Sequence, residues 1–371
     1  MSRRHAVVRA ALVAFAALVA LACGRAEPVL SCDAVGPATP ICGFTNPEDL
    51  ELLPDGSGLV VSEFGAMDGK GVGAIARLGL ASGSRGLLWR GGDVGALAPG
   101  WGDPACPGVP KQISPHGIHL SRRPDGAQQL LVVNHAGRES VELFELIGAR
   151  GDWRLEWRGC AIAPEGAWLN DVVALPEGGF LATSMLPRRE GTGQILEYAK
   201  AAVLGMPTGH ALEWRPGRGW APLPGSDVVF ANGIALSPDG RTVFLNASVG
   251  GKVHRIDRSS GAETGSADVS GPDNSTWAPD GRLLVASFTG PLWSTLACDG
   301  LEVGACPVAF EIVAVDPATL ATETLYRGEG APMGGGTVGL RVGDELFIGS
   351  FAGDRILRVQ LGAAAPSRPA S

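Results

Sequence analysis

Glu48, His116, Asn170, Asn232, Asp273 and Thr337 open six segments built on one pattern: EDLELLPDG, HGIHLSRRPDG, NDVVALPEG, NGIALSPDG, DNSTWAPDG and TVGLRVGDE. Five of the six openers stand six positions before the Pro or Gly of a turn, and the His116 copy carries two extra residues, Arg122 and Arg123. Residues at one register position of a repeat meet at one place in a fold, so the openers are read as a set. The set is hard oxygen donors plus one imidazole. Calcium takes about six to eight oxygens from carboxylates, amide carbonyls and water, whereas zinc or copper would want more His or Cys. Glu48, Asn170, Asn232, Asp273 and its neighbour Asn274 would supply two carboxylates, which neutralise the ion, and three amide oxygens. An Asn-Gly pair is ordinarily a hairpin turn. In NGIALSPDG, however, the turn already falls at PDG, which frees Asn232 for another role.

His116 takes the opening position in its repeat, and His135 ends the apolar run LLVVNH that should pair with it. An imidazole beside a metal can act as general base on water, and a second imidazole behind it can accept the proton; two hydrogen-bonded structural histidines are the alternative. No nucleophile competes. There is no G-x-S-x-G elbow, and no cysteine holds an opening position. Metal-assisted attack of water on an ester or lactone carbonyl is the chemistry that remains. Asp49 and Asp171 directly follow two of the openers. Neighbours on a regular strand point to opposite sides, so these two would hold a second, deeper calcium with a main-chain carbonyl of the His116 repeat, or would cap loop amides. Periodicity alone favours capping. His119, His210 and His254 lie off the opening position and receive no role.

The elements that position these residues follow from the same repeat. After each turn comes an apolar strand: GLVVSE, QQLLVVNH, GFLATS, TVFLNAS, RLLVASF and ELFIGSF. Third strands are read at GAIARLGL, SVELFEL, GQILEYA, GKVHRID, FEIVAVD and DRILRVQL, and fourth strands at SRGLLWR, WRLEWRG, ALEWRPG and ETLYRG, with a weaker case at GSADV. Six such copies predict an all-β, six-bladed β-propeller with four-stranded blades around a central calcium-binding channel. The last blade runs out of chain after Leu361, so a strand near Pro28 to Val35 is expected to close the ring. Two long stretches, about Arg90 to Gln112 and about Gly290 to Pro307, are read either as the mouth of the site or as pinned surface loops. No long amphipathic helix is expected beyond the first thirty residues.

A chain of 371 residues with Gly 55 and Pro 27 suits one turn-rich domain, and a net charge of -8 leaves no basic patch for nucleic acid. Residues 1–23 read as a signal peptide: Arg3 and Arg4, an apolar run from Ala6 to Ala22, and small residues at the cut, with a spanning anchor as the alternative. VALAC resembles a bacterial lipoprotein processing site; lipid on Cys23 would tether the domain to a membrane surface. The expected location is therefore exported: periplasmic, membrane-anchored or secreted. Six further cysteines pair most simply as Cys32–Cys42, Cys106–Cys160 and Cys298–Cys306, among several connectivities. The propeller is expected over residues 28–362, and the Ala/Pro/Ser tail, 363–371, is expected to be disordered.

NPEDLELLPDG, SPHGIHL, LLVVNHAGRESVELFEL, LNDVVALPEGGFLAT, FANGIALSPDGRTVFL and PDNSTWAPDG together resemble, in the same order, segments of the paraoxonase (arylesterase/lactonase) family, within the broader gluconolactonase-like six-bladed propellers. The resemblance covers most of Asn46 to Leu361. It implies two calcium ions. Glu48, Asn170, Asn232, Asp273 and Asn274 match the catalytic calcium ligands; Asp49, Asp171 and the Ile118 carbonyl match the structural calcium site; His116 and His135 match a histidine dyad. For Asp49 and Asp171 this reverses the preference from periodicity. The family closes its ring with a disulfide, but no cysteine follows Cys306 here, and TSMLPRREG and SFTG lack the family's aromatic and histidine residues. The expected function is calcium-dependent hydrolysis of a small-molecule lactone or aryl ester, with His116 and His135 activating water and Phe230 and Phe351 lining the pocket. The alternatives are a sugar-lactone hydrolase of gluconolactonase type and a non-catalytic ligand-binding propeller.

Overall fold

The computed structural model describes residues 26–92, 95–290, 292–301 and 303–361. The signal peptide, Cys23 and the 363–371 tail lie outside the described residues. Six four-stranded antiparallel sheets form the blades. Their inner strands are Pro47–Leu52, Pro115–Arg122, Leu169–Ala174, Ala231–Leu236, Pro272–Trp277 and Gly336–Val342, so each repeat opener stands at or near the start of an inner strand. The second strands Gly58–Glu63 and Leu283–Phe288 are buried along their whole length. Their continuous apolar runs fit strands covered by neighbouring blades on both faces. The PDG and PEG turns lie at the opposite end of the channel from the openers, as one strand length separates them.

Ring closure differs from the expectation. The fourth strand of the last blade is Ala38–Cys42, paired with Arg355–Gln360, and not the stretch before it. Residues 28–35 instead run across the closure: Val29 bridges Ala305. Arg355 is 1% exposed, donates to the carbonyls of Val29 and Pro332 at 3.0 Å, and also binds that of Ser31. A buried guanidinium has to find acceptors for its N–H groups, and here the N-terminal segment supplies two, beside Pro332 and the Asp354 carboxylate. All three expected disulfides are present. Cys32–Cys42 staples the closing strand to its own lead-in, where the family's bridge would join the two chain ends.

Blade three corrects two readings. GQILEYA is not a strand but part of the helix Thr192–Ala202, and HALEWR becomes the third strand, followed by Gly219–Pro222. The segment is rich in Leu, Glu, Ala and Lys, which favour helix, and it sits in the connection above the channel mouth, where no neighbouring strand offers an edge. The stretch from Arg90 to Gln112 is a pinned loop: Gly95 bridges Trp157, Cys106 bonds Cys160, and Asp103 accepts the Trp214 indole N–H at 3.2 Å. The stretch near Cys298 packs against Val29 and Gly353 and joins the closure.

Candidate metal centre

All six inner strands share one irregularity. Each carries one extra residue against its second strand, at the opener. Pro115 pairs with Asn134 and Ile118 with Val132; Leu169 pairs with Ser184 and Val172 with Ala182; the same shift recurs in the other four blades. A bulge re-aims the side chain that follows it. The rule that neighbours point apart therefore fails here: Glu48 and Asp49, Asn170 and Asp171, and Asp273 and Asn274 are all buried together in the channel. The channel is tight where glycine replaces the acid. A Cβ on Gly117 would stand 2.5 Å from Asp171 Oδ1, and one on Gly233 would run into the Asp273 carbonyl.

The backbone entering the ring is strained at one point. Asn46, Phe230, Gly271 and Gly335 each stand two residues before an opener with φ between 44° and 64°. Asn and Gly tolerate this, but Phe does so only where its surroundings hold it. Phe230 is clamped by Ser248 N–H, which donates to its carbonyl at 2.9 Å, and by Tyr198, whose ring stacks on it at 6.2 Å.

Four of the five candidate ligands leave an oxygen unsatisfied, and the fifth, Asp273, accepts a hydrogen bond from Asn232. Asn274 donates its amide N–H to Glu48 Oε1 at 2.8 Å, and Asn170 donates to Met185 Sδ at 3.3 Å. With their N–H ends so engaged, both side chains leave their oxygens free. Buried and without any hydrogen-bond partner are Glu48 Oε2, Asn170 Oδ1, Asn232 Oδ1 and Asn274 Oδ1. Outside the ring, among the described residues, only Asn246 Oδ1 and Gln194 Nε2 share that state. An orphaned buried acceptor is costly, and four at one place fit a hard cation. No cluster of three His, Cys, Asp or Glu occurs among the described residues; the donor set is recognised only when the amides are counted.

Charge points the same way. Burial pushes Glu48 well above the usual carboxylate range, aided by Asp49 and Asp273. Burial lifts Asp273 to about 8, against a hydrogen bond from Asn232. Burial lifts Asp49 to about 7, and burial with the Asp49 charge raises Asp171 strongly. Asp49 and Asp171 also join blades. Asp49 Oδ2 accepts the Ile118 N–H at 2.7 Å and Asp171 Oδ2 the Ile234 N–H at 2.8 Å. The amides they accept lie in the neighbouring inner strands rather than in loops, and the two acids stand close enough to repel, which a second cation would relieve.

These directions fix a pH dependence. The folded-state values of Asp49 and Asp273 lie above those of an unfolded chain, so the contribution of these carboxyls to stability is complete below about pH 4 and is lost as pH rises through about 7 to 8. The metal-free protein is expected to melt at falling temperature from pH 5 to pH 9. The calcium-loaded protein should hold its melting temperature over that range, because the ion replaces the protons. Calorimetry across the series checks this; a metal-free protein that gains stability toward pH 9 would contradict it.

The two histidines meet as expected. His116 Nδ1 lies 3.0 Å from His135 Nε2, and His116 Nε2 lies 3.7 Å from Glu48 Oε1. Burial, then the neighbouring His135, push His116 well below the usual imidazole range, which favours its neutral form. Phe64 covers the His116 ring with centroids 4.7 Å apart. Sequence reasoning missed Glu139, whose two oxygens each lie 3.0 Å from His135 Nδ1. Its only signal was a carboxylate four residues after His135. Trp168, Met185, Leu186 and Phe230 form a buried apolar cluster, with Tyr198 and Met67 packed on it, that meets the ring where Met185 touches Asn170. Phe230 belongs to that cluster; Phe351 packs on Phe288 at 5.9 Å on the closure side.

The profile of the SMP-30/Gluconolactonase/LRE-like region matches residues 115–305, just over half of the chain. The chain belongs to that family. The match begins at the strand of His116, spans the blades of Asn170 and Asn232 and takes in the first two strands of the Asp273 blade, leaving Glu48 and Asp49 outside it. Human serum paraoxonase/arylesterase 1 is 27% identical over 249 residues, 64% of this chain; the match spans 66% of that protein, just short of two thirds of its length. Among solved structures, a gluconolactonase of Xanthomonas campestris is 13% identical, with a TM-score of 0.50 over 91% of this chain and 96% of that one. A luciferin-regenerating enzyme is 15% identical, with a TM-score of 0.51 over 87% of this chain and 93% of that one. These structures share the fold.

Proposed function

We propose that the protein is a calcium-dependent hydrolase of lactones or aryl esters, with one ion held by Glu48, Asn170, Asn232, Asp273 and Asn274 and a second by Asp49, Asp171 and the Ile118 carbonyl. The observation that carries the reading is the convergence of four unpartnered buried oxygens beside the neutral imidazole of His116. When bound, calcium would polarise the substrate carbonyl and stabilise the oxyanion that forms. The rest falls to the chain. His116 Nε2 takes a proton from water as the water oxygen bonds to the carbonyl carbon. His135, hydrogen-bonded at Nδ1 of His116, shares the charge that results. The C–O bond to the leaving oxygen then breaks, and the proton returns to that oxygen.

Family membership by itself fits a sugar-lactone hydrolase equally well. The apolar cluster of Trp168, Met185, Leu186 and Phe230, which reaches Asn170 through Met185, favours a substrate with an acyl chain or aryl group over a polyol. Purified protein assayed on a panel of aliphatic lactones, phenyl esters and sugar lactones, with and without chelator, tests both readings. Preference for gluconolactone would contradict the first, and no turnover of any would leave a non-catalytic propeller. Three disulfides support export. Lipid on Cys23 completes this reading, and mass spectrometry of the mature N-terminus tests it, an intact Met1 being the contrary result.

A further inference from the structure

The strongest feature left unused is the position of Glu139. It sits in the loop HAGRE that joins the second and third strands of blade two, at the channel mouth. Its side chain is 12% exposed and takes donors from three directions. His135 Nδ1 lies 3.0 Å from both oxygens. The backbone N–H of Leu169, the residue before Asn170, donates to Oε1 at 2.7 Å. Arg188 Nη1 donates to Oε2 at 2.7 Å. Arg188 belongs to TSMLPRREG, and its guanidinium lies 5.7 Å from the centroid of the Trp168 ring.

The donor and acceptor inventory then fixes the protons. A carboxylate facing a guanidinium and a main-chain N–H accepts only, so His135 must carry its proton on Nδ1. On a neutral His135, Nε2 is then a lone pair, and two lone pairs cannot face each other at 3.0 Å, so His116 carries its proton on Nδ1. His116 Nε2 is thereby an acceptor, aimed at the side of the ring where Glu48 lies. Turning the His135 ring over would break the chain at Glu139, and turning the His116 ring over would break it at His135.

We infer that Glu139, held by Arg188, is a positioning residue that fixes the tautomers of both histidines and, through the Leu169 N–H, pins the start of the strand bearing Asn170. The inference rests on the hydrolase reading for its kinetic consequence, but not for its tautomers. One carboxylate thus ties the proton-accepting pair to the candidate metal shell, as outer-shell groups commonly do.

Two substitutions separate these roles in the full chain loaded with calcium. Glu139→Gln keeps an oxygen for His135 and Leu169 but removes the charge; Arg188, part-exposed, can turn to the Asp68 carbonyl, which it already approaches at 3.4 Å. It is expected to lower kcat about 10- to 100-fold, with KM and calcium affinity unchanged. Glu139→Ala also frees the Leu169 N–H and is expected to weaken calcium binding about 10-fold. Long-range nitrogen–proton spectra of histidine-labelled wild-type protein should show His135 and His116 both as Nδ1–H tautomers, and this reading needs neither a variant nor a substrate. An Nε2–H tautomer at His135 would overturn the inference, as would a Glu139→Gln enzyme with normal kcat where His116→Gln is inactive. A wild-type protein that hydrolyses nothing while showing the Nδ1–H tautomers would defeat the hydrolase reading and leave the positioning role standing.

Discussion

Asp273→Ala is expected to abolish turnover of lactones and aryl esters. Asp273 is one of two carboxylates among the five candidate ligands, and burial raises it to about 8 without a cation. Its loss therefore acts oppositely in the two states of the protein. With calcium present, the variant loses ligand-linked stability; a site filled at about a thousand times its Kd contributes about 4 kcal/mol, so the melting temperature should fall toward that of chelated wild type. In chelator at pH 8 the same substitution removes a buried like charge, and the variant should melt no lower than wild type beyond the small cost of the lost side chain. A variant that melts lower by the same amount in calcium and in chelator would place Asp273 in the fold alone.

His116→Gln is expected to lower turnover by about two to four orders of magnitude at neutral pH, the usual range for a general base. Calcium affinity should change little, because His116 stands 3.7 Å from Glu48 and is not among the candidate ligands. His135→Gln should cost less, since His135 touches only the far nitrogen of His116. Initial rates on the best lactone of the panel, with calcium titrations of each variant, check the pair. Near-normal turnover in His116→Gln would move the base to a carboxylate of the ring, with Glu48 or Asp273 next in line.

Much of this was legible in the sequence because the propeller repeats. A fixed distance from opener to turn located the inner strands, the ring residues and the end of the channel they share. Cysteine proximity gave the three pairings. The rest depends on contacts distant in the chain. The strand rule sent Asp49 and Asp171 away from their neighbours; the bulge at every opener, a matter of pairing register, brings them back. The helix Thr192–Ala202 was read as a strand because only tertiary context shows that no sheet edge is there to receive it. Ring closure by Ala38–Cys42 pairs it with Arg355–Gln360, more than three hundred residues away in the chain, and Arg355 there also binds the carbonyls of Val29 and Ser31. Glu139 was invisible because its partners, Leu169 and Arg188, come from the next blade.

The central claim is that the ring of Glu48, Asn170, Asn232, Asp273 and Asn274 is a calcium site. Calorimetry of chelator-stripped wild-type protein at pH 8, titrated with calcium, tests it most directly. A low melting temperature is expected after stripping, with a saturable rise on adding calcium that Asp273→Ala does not reproduce. A melt unchanged by stripping and by added calcium, in a protein that retains full activity in chelator, would contradict it.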